Sequence, residues 1–177
     1  MRNLVILVIL AFSLFGADLR LKEGSVSAHT EMLMDNAINP ANTSLHADIT
    51  MQENDIESIK GKFWVETELF KSDKSDRDEH MYKCVETDKF KLATFVISSI
   101  KKEEGDNKYT INGEMEFHGE KKPLSAKADI TVTDGSLNIN ASSVMLVSDF
   151  GVEMPCMVFM CVRDQVDISV KAVFTLI

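Results

Sequence analysis

Between Asn107 and His118 the chain alternates without a break. Tyr109, Ile111, Gly113, Met115 and Phe117 are apolar or glycine, while Lys108, Thr110, Asn112, Glu114, Glu116 and His118 are polar. Period-two alternation of this length predicts a strand with one face buried and the other in water. A slip of one residue would exchange the two faces, so the register of such a strand is strongly specified. The fold must therefore bury a long apolar face and find partners for the strand's edges.

The same pattern recurs along most of the sequence. Leu19–Leu33 reads as a first strand, with Val26, Ala28, Thr30 and Met32 on one face, and Asp35–Asn42, rich in Asn and carrying Pro40, reads as a turn or loop. Leu45, Ala47, Ile49 and Met51 define a second strand; Gly61 precedes a third, in which Phe63, Val65, Thr67 and Leu69 alternate with Trp64, Glu66 and Glu68. The period then changes. Met81, Cys84 and Val85 lie three and four apart, and Ser75 followed by Asp78 resembles a cap with an acidic first turn, so one short helix is predicted over Ser75–Val85, packed on the sheet or closing one end of it. Alternation resumes in Ala93–Ile100, with Ala93, Phe95 and Ile97 on one side, and Gly105, Asp106 and Asn107 turn the chain into the stretch described first. Gly119 and Lys122-Pro123 lead into Leu124, Ala126, Ala128, Ile130 and Val132. Asp134-Gly135, the strongest hairpin signal, leads into Leu137, Ile139, Ala141, Ser143 and Met145, and the last strand holds Val166, Ile168, Val170, Ala172, Phe174 and Leu176.

That makes eight strands, mostly joined by short connections that force antiparallel neighbours. A sandwich of two sheets and one sheet closed on itself both bury a single apolar face, and up-and-down hairpin order favours the closed, all-β, eight-stranded antiparallel barrel with one short helix. Alternation points Phe95, Ile97, Ile111, Met115, Phe117, Ile130, Ile139, Met145, Val166, Ile168 and Val170 inward, where they either fill the barrel or line a cavity. Gly151–Arg163 is the odd stretch, where strand alternation fails. Met154, Cys156, Met157, Val158, Phe159, Met160 and Cys161 make it a nearly continuous apolar connection, expected to fold over the barrel mouth or into it rather than stand in water.

Residues 1–17 read as a secretory signal peptide, with Arg2 as the positive n-region, Leu4–Phe15 apolar or small, and Gly16 and Ala17 at the cleavage site; residues 18–177 then form one domain. Export places the three cysteines where disulfides persist, and the odd number leaves at least one unpaired within the chain. Cys156 and Cys161 are close enough to bridge if the segment between them folds back, and Cys84 reads as a small buried hydrophobe. With 19 basic against 28 acidic residues and no basic run, the chain lacks the cationic surface that nucleic acid requires.

Catalytic signatures are missing as well. His29, His46, His80 and His118 fall in four separate elements, His46 and His118 on the polar sides of their strands where solvation is expected. No HExxH, GxSxG, P-loop or dinucleotide fingerprint is present, so the sequence points to no enzyme and no cofactor. The sulfurs of Met154, Cys156, Met157, Met160 and Cys161 do suit Cu(I), which makes an exported soft-metal or stress-linked binding protein the alternative reading.

An ordered set of short segments carries a family resemblance. Arg77-Asp78-x-His80-Met81 is similar to an Arg-Asp-x-His-Leu motif, and Lys89–Phe95 to Lys-Tyr-Pro-x-x-x-Phe. Gly113–Gly119 with Pro123-Leu124 is similar to Gly-x-Leu-x-x-His-Gly followed by Pro-Val, and Asp149-Phe150-Gly151 and Asp164–Ile168 correspond to two later segments. Together they resemble the YceI-like family of exported, lipocalin-like barrels that bind polyisoprenoids and other long-chain amphiphiles. Lys91 stands where that family has Pro, His29-Thr30 stands for its early His-Ser, and the Met and Cys content of 151–163 is unusual for it. The resemblance implies a lipocalin-like barrel in the periplasm or secreted. Its apolar interior would sequester or transport a polyisoprenoid, an isoprenoid quinone or a fatty acid or amide without catalysis. The expected ligand-binding residues are Phe95, Ile97, Ile111, Met115, Phe117, Ile139, Met145, Phe150, Met154, Met157, Phe159 and Ile168. A homodimer is the other partner arrangement retained.

Overall fold

A computed structural model describes residues 17–32, 36–154, 156–157 and 160–176, with the backbone alone for 17, 18, 36, 156, 157 and 160. The expected signal segment thus lies outside the described residues except for Ala17, which opens the first strand. In chain order the elements are β1 (Ala17–Met32), β2 (Asn36–Ile38), β3 (Ala41–Asn42), β4 (His46–Gln52), β5 (Asp55–Glu66), α1 (Ser75–Val85), β6 (Leu92–Lys102), β7 (Lys108–Phe117), β8 (Glu120–Thr133), β9 (Ser136–Leu146), β10 (Cys156–Met157), β11 (Met160–Cys161) and β12 (Gln165–Leu176).

Eight of these close into an antiparallel barrel in the order β1-β4-β5-β6-β7-β8-β9-β12, and β12 returns to β1 through a ladder from Leu19↔Leu176 to His29↔Asp167. Closure leaves no free edge to the long meander. The seam between β1 and β4 is the exception in length: β4 pairs only with residues 17–19 of β1, after which β3 and β2 pair with residues 26–27 and 30–32.

Because the strands run up and down, their connections divide between two ends. The lower end holds the tight turns, at Glu53-Asn54, 103–107 and Asp134-Gly135, and above them Ile49, Met51, Ile59, Ile130, Leu137 and Phe174 are fully buried and fill the barrel. The upper end receives the long connections, β2 and β3, the segment carrying α1, and residues 147–164, together with the short β7–β8 turn at His118-Gly119. Alternation placed the inward residues correctly on β7, where Tyr109, Ile111 and Gly113 are buried and Glu114 and Glu116 are exposed.

Several boundaries differ from the sequence expectation, each for a local reason. The third strand begins at Asp55 rather than after Gly61, because Gly61 is an interior position at φ +126 where a Cβ would lie 2.0 Å from the Asp48 carbonyl oxygen. β8 begins at Glu120 rather than Leu124. Pro123 sits opposite Glu114 of β7, on a stretch that β9 does not pair, so its missing N–H disrupts no ladder. The Asp35–Asn42 turn contains two short strands instead of loop alone. The helix spans Ser75–Val85 as expected, yet Ser75 does not cap it: Lys74 occupies that position, and the buried Asp78 carboxylate accepts the Ser72 backbone N–H at 2.8 Å.

Candidate ligand-binding site

Above the filled lower half, the barrel encloses a cavity of about 600 Å³. Ile111 and Ile139, both buried, form its floor. The inward positions above them are small on one wall, with Val26 and Ala28 of β1, Ala126 of β8, Ala141 of β9 and Val170 of β12, and large on the other, with Phe63, Phe95, Met115 and Phe117. Large side chains at every level would have filled the barrel; the run of alanines keeps its upper half open.

The helix forms the roof, turning Met81, Cys84 and Val85 onto the cavity. Its position is fixed from several sides. The Tyr82 hydroxyl donates to the Phe70 carbonyl at 2.6 Å, the Arg77 guanidinium holds Asp73 at 3.0 Å and the Ala37 carbonyl at 3.3 Å, and the buried Thr67 hydroxyl donates to the Phe90 carbonyl at 2.7 Å. Burial pushes the Cys84 thiol above its usual range, as expected of a sulfhydryl facing an apolar cavity.

His118 overturns the expectation of a solvated ring. It is the first residue of the β7–β8 turn, at φ +50, so the outward face of the strand no longer dictates its direction. Its side chain is 11% exposed and lies 4.3 Å from the Phe90 ring centroid. Nε2 reaches the Glu86 carboxylate at 2.9 Å and Nδ1 the Phe150 carbonyl at 3.0 Å. The two ring nitrogens thus face two different partners at once, one on each side of the imidazole. His118 thereby ties the C-terminus of α1 to the 147–150 turn across the β7–β8 corner. His46 does stand in solvent, stacked on Trp64 at 5.4 Å.

Of the expected binding residues, Phe95, Ile111, Met115, Phe117, Ile139, Met145, Met154 and Ile168 line the cavity. Ile97 does not: it is buried in the packed core, next to an irregularity in the β6–β7 register between Ile97 and Ser99. Phe150 is also a correction, since it packs behind the lining with Met145, Val147 and Val152 and edge-on to Phe117 at 5.8 Å. The Met157 side chain and Phe159 lie outside the described residues. The alanine wall was missed because small residues carry little hydrophobic signal. The inner face of α1 was visible as the Met81, Cys84, Val85 spacing, though without a role at a ligand site.

The described part of the 151–163 connection reaches the mouth, where Val152, Met154 and Val162 line the cavity and Val162 bridges to Met32. Cys156 and Cys161 face each other in the β10–β11 ladder; Cys161 is disulfide-bonded and Cys84 is free. A disulfide sulfur is not the thiolate donor that the soft-metal alternative calls on. No group of three or more His, Cys, Asp and Glu among the described residues is arranged to hold a metal, and no helix among them is long and apolar enough to cross a membrane.

A closed up-and-down barrel with an apolar chamber under a helical roof defines the lipocalin-like all-β class. The YceI-like domain model matches residues 19–174, and the chain belongs to the YceI-like family. UPF0312 proteins from two strains of Vibrio vulnificus are 29% identical over 84 residues, 46% of this chain; the match spans 44% of their length. The fold is similar to that of BcnA from Burkholderia cenocepacia, with TM-score 0.75 and 17% identity over 85% of this chain and 95% of that one. A polyisoprenoid binding domain from Saccharophagus degradans gives 0.65 with 8% identity over 92% and 100%. The YceI protein of Campylobacter jejuni gives 0.59 with 16% identity over 81% and 82%.

Proposed function

We propose that this protein binds a long-chain amphiphile in its barrel and sequesters or transports it through an aqueous compartment without chemical change. The cavity carries the reading: about 600 Å³ of space lined almost entirely by apolar side chains, inside the range of sites that bury small ligands. The polyisoprenoid-binding domain among the similar folds supports the same class, which takes in polyisoprenoids, isoprenoid quinones and fatty acids or amides. Burial is worth about 0.8 kcal/mol per methylene, so a chain of about a dozen carbons gains roughly 10 kcal/mol before the entropy of association is subtracted. Retention then needs no covalent bond. Periplasmic or secreted localisation belongs to the same proposal, supported by the apolar run over residues 4–15 that follows Arg2 and by the disulfide at Cys161.

Native mass spectrometry of the protein recovered from the exported fraction, followed by organic extraction, tests this directly. A near-stoichiometric long-chain species is the expected result, and the same spectrum reads whether the chain is a monomer or a homodimer. A ligand-free mass that stays unchanged after incubation with isoprenoids, fatty acids and fatty amides would overturn the proposal.

A further inference from the structure

A carried amphiphile needs a partner for its head as well as its tail, and the charged or ionisable residues that border this cavity are of one sign. Its ionic or ionisable side chains of the basic type are Arg77, His80 and Lys83, all from α1, and no aspartate or glutamate among the described residues lines it. In a chain with 28 acidic residues against 19 basic ones, random placement would favour the opposite sign. The spacing of three residues between successive members places them along one side of the helix.

The polar groups that remain available narrow the choice further. Five residues with hydroxyl side chains line the cavity; three of them donate to main-chain carbonyls, Thr30 to Gln165 at 2.9 Å, Thr67 to Phe90 at 2.7 Å and Ser143 to Ser125 at 2.7 Å, which leaves Thr87 and Ser142 as neutral groups without a charge to offer. Arg77 is engaged with Asp73 and the Ala37 carbonyl. His80 and Lys83 have no side-chain hydrogen bond or ion pair with any described residue. Both are exposed, so a head group can reach them while its tail lies in the apolar chamber below. A lysine in the last turn of a helix has a structural use against the helix dipole; His80, in the middle of the helix, has no such use. Lys83 supplies three donors and a full charge, and His80 at least one ring N–H in either protonation state.

Resting on the reading of the barrel as a long-chain carrier, we propose that the roof helix selects ligands with an anionic oxygen head, a carboxylate or a phosphate, through His80 and Lys83. Neutral amides, alcohols and quinones are disfavoured because they offer no charge to His80 and Lys83. Arg77, already bound to Asp73, holds the helix in place for the other two.

The test is displacement of a fluorescent apolar probe from the full chain by chain-matched ligands: hexadecanoic acid, hexadecanamide and hexadecanol in one set, farnesyl phosphate and farnesol in the other. In at least one set the anion binds about tenfold tighter than its neutral counterpart, and added salt narrows the gap. Preference confined to the first set assigns a fatty acid as the head-group source; preference confined to the second assigns an isoprenoid phosphate. The double variant His80→Gln with Lys83→Glu brings the ratio toward one, and since each ratio is taken within one protein, a loss of folded material does not imitate the effect. Equal affinity within both sets, or a ratio the variant leaves intact, overturns this inference while the carrier reading stands. Failure of every ligand to displace the probe overturns both.

Discussion

Replacing Ala141 with phenylalanine separates the empty half of the barrel from the filled half. Ala141 lies on β9 between Ala128 and Val170 of the neighbouring strands, and its methyl group faces the cavity. A benzyl group there projects into space rather than into packed neighbours. Its burial gains about 1.5–3 kcal/mol, offset by roughly 1–3 kcal/mol of local adjustment, so stability should change little. Affinity should change much more. A bound chain would surrender about four methylenes to make room, and at about 0.8 kcal/mol each the loss is ~3 kcal/mol, or about a hundredfold in Kd. Phe174→Ala is the complementary perturbation. It removes a fully buried ring from the lower end and should cost about 3–5 kcal/mol of stability. Urea denaturation of both variants and probe displacement on Ala141→Phe supply the comparison. If Ala141→Phe destabilises as strongly as Phe174→Ala, the upper half has no room to spare; if it binds as the native chain does, the ligand lies elsewhere. Either result refutes the division of the barrel into core and chamber.

His118→Ala should cost about 2 kcal/mol in denaturant unfolding, because it strands the Phe150 carbonyl and unties Glu86, with faster amide exchange over 86–90 and 147–152 as the local signature. Gly61→Ala should cost about 3 kcal/mol or more, because its Cβ would meet the Asp48 backbone at a left-handed φ; Gly135→Ala, with nothing within 4 Å, should cost only about 1 kcal/mol. Equal losses at the two glycines in urea titrations would remove the close-approach argument. Cys84 should alkylate slowly near neutral pH because burial raises its pKa, and slower still with the cavity loaded. An iodoacetamide rate insensitive to loading would place the ligand away from α1.

The strands were legible because each inner face is nearly pure in type, and the Asp134-Gly135 hairpin because both residues adopt the left-handed conformations its turn requires. Where single residues carry two meanings, the reading slipped. Gly61 and Pro123 look like boundaries in a sequence, yet one is a point of close strand approach and the other lies where its missing N–H faces no partner. The turn at Glu53-Asn54 has both residues at positive φ but no glycine to mark it. His118 follows the alternation by rank and escapes it by conformation. Whether a barrel is filled or hollow depends on side-chain volume summed around each level. Ala126 and Ala141 share a hairpin, but Ala28 joins them only through closure, and no local window of sequence contains that sum.

On the proposed reading, stability and binding fall to opposite ends of one sheet. The lower end needs only tight turns and can be packed with Ile, Leu, Met and Phe to full density. The upper end must span wider gaps, and its connections bring α1, β2, β3 and the 147–164 segment to the rim. Such a rim would be a poor site if its parts moved independently, because a head group gains little from donors that must first be ordered. Tyr82 on the Phe70 carbonyl, Arg77 on the Ala37 carbonyl of β2, and His118 between Glu86 and Phe150 tie the helix to its surroundings at three points. Those attachments hold His80 and Lys83 above the chamber before any ligand arrives, so the ordering cost falls on the ligand tail, which the apolar wall below is built to meet.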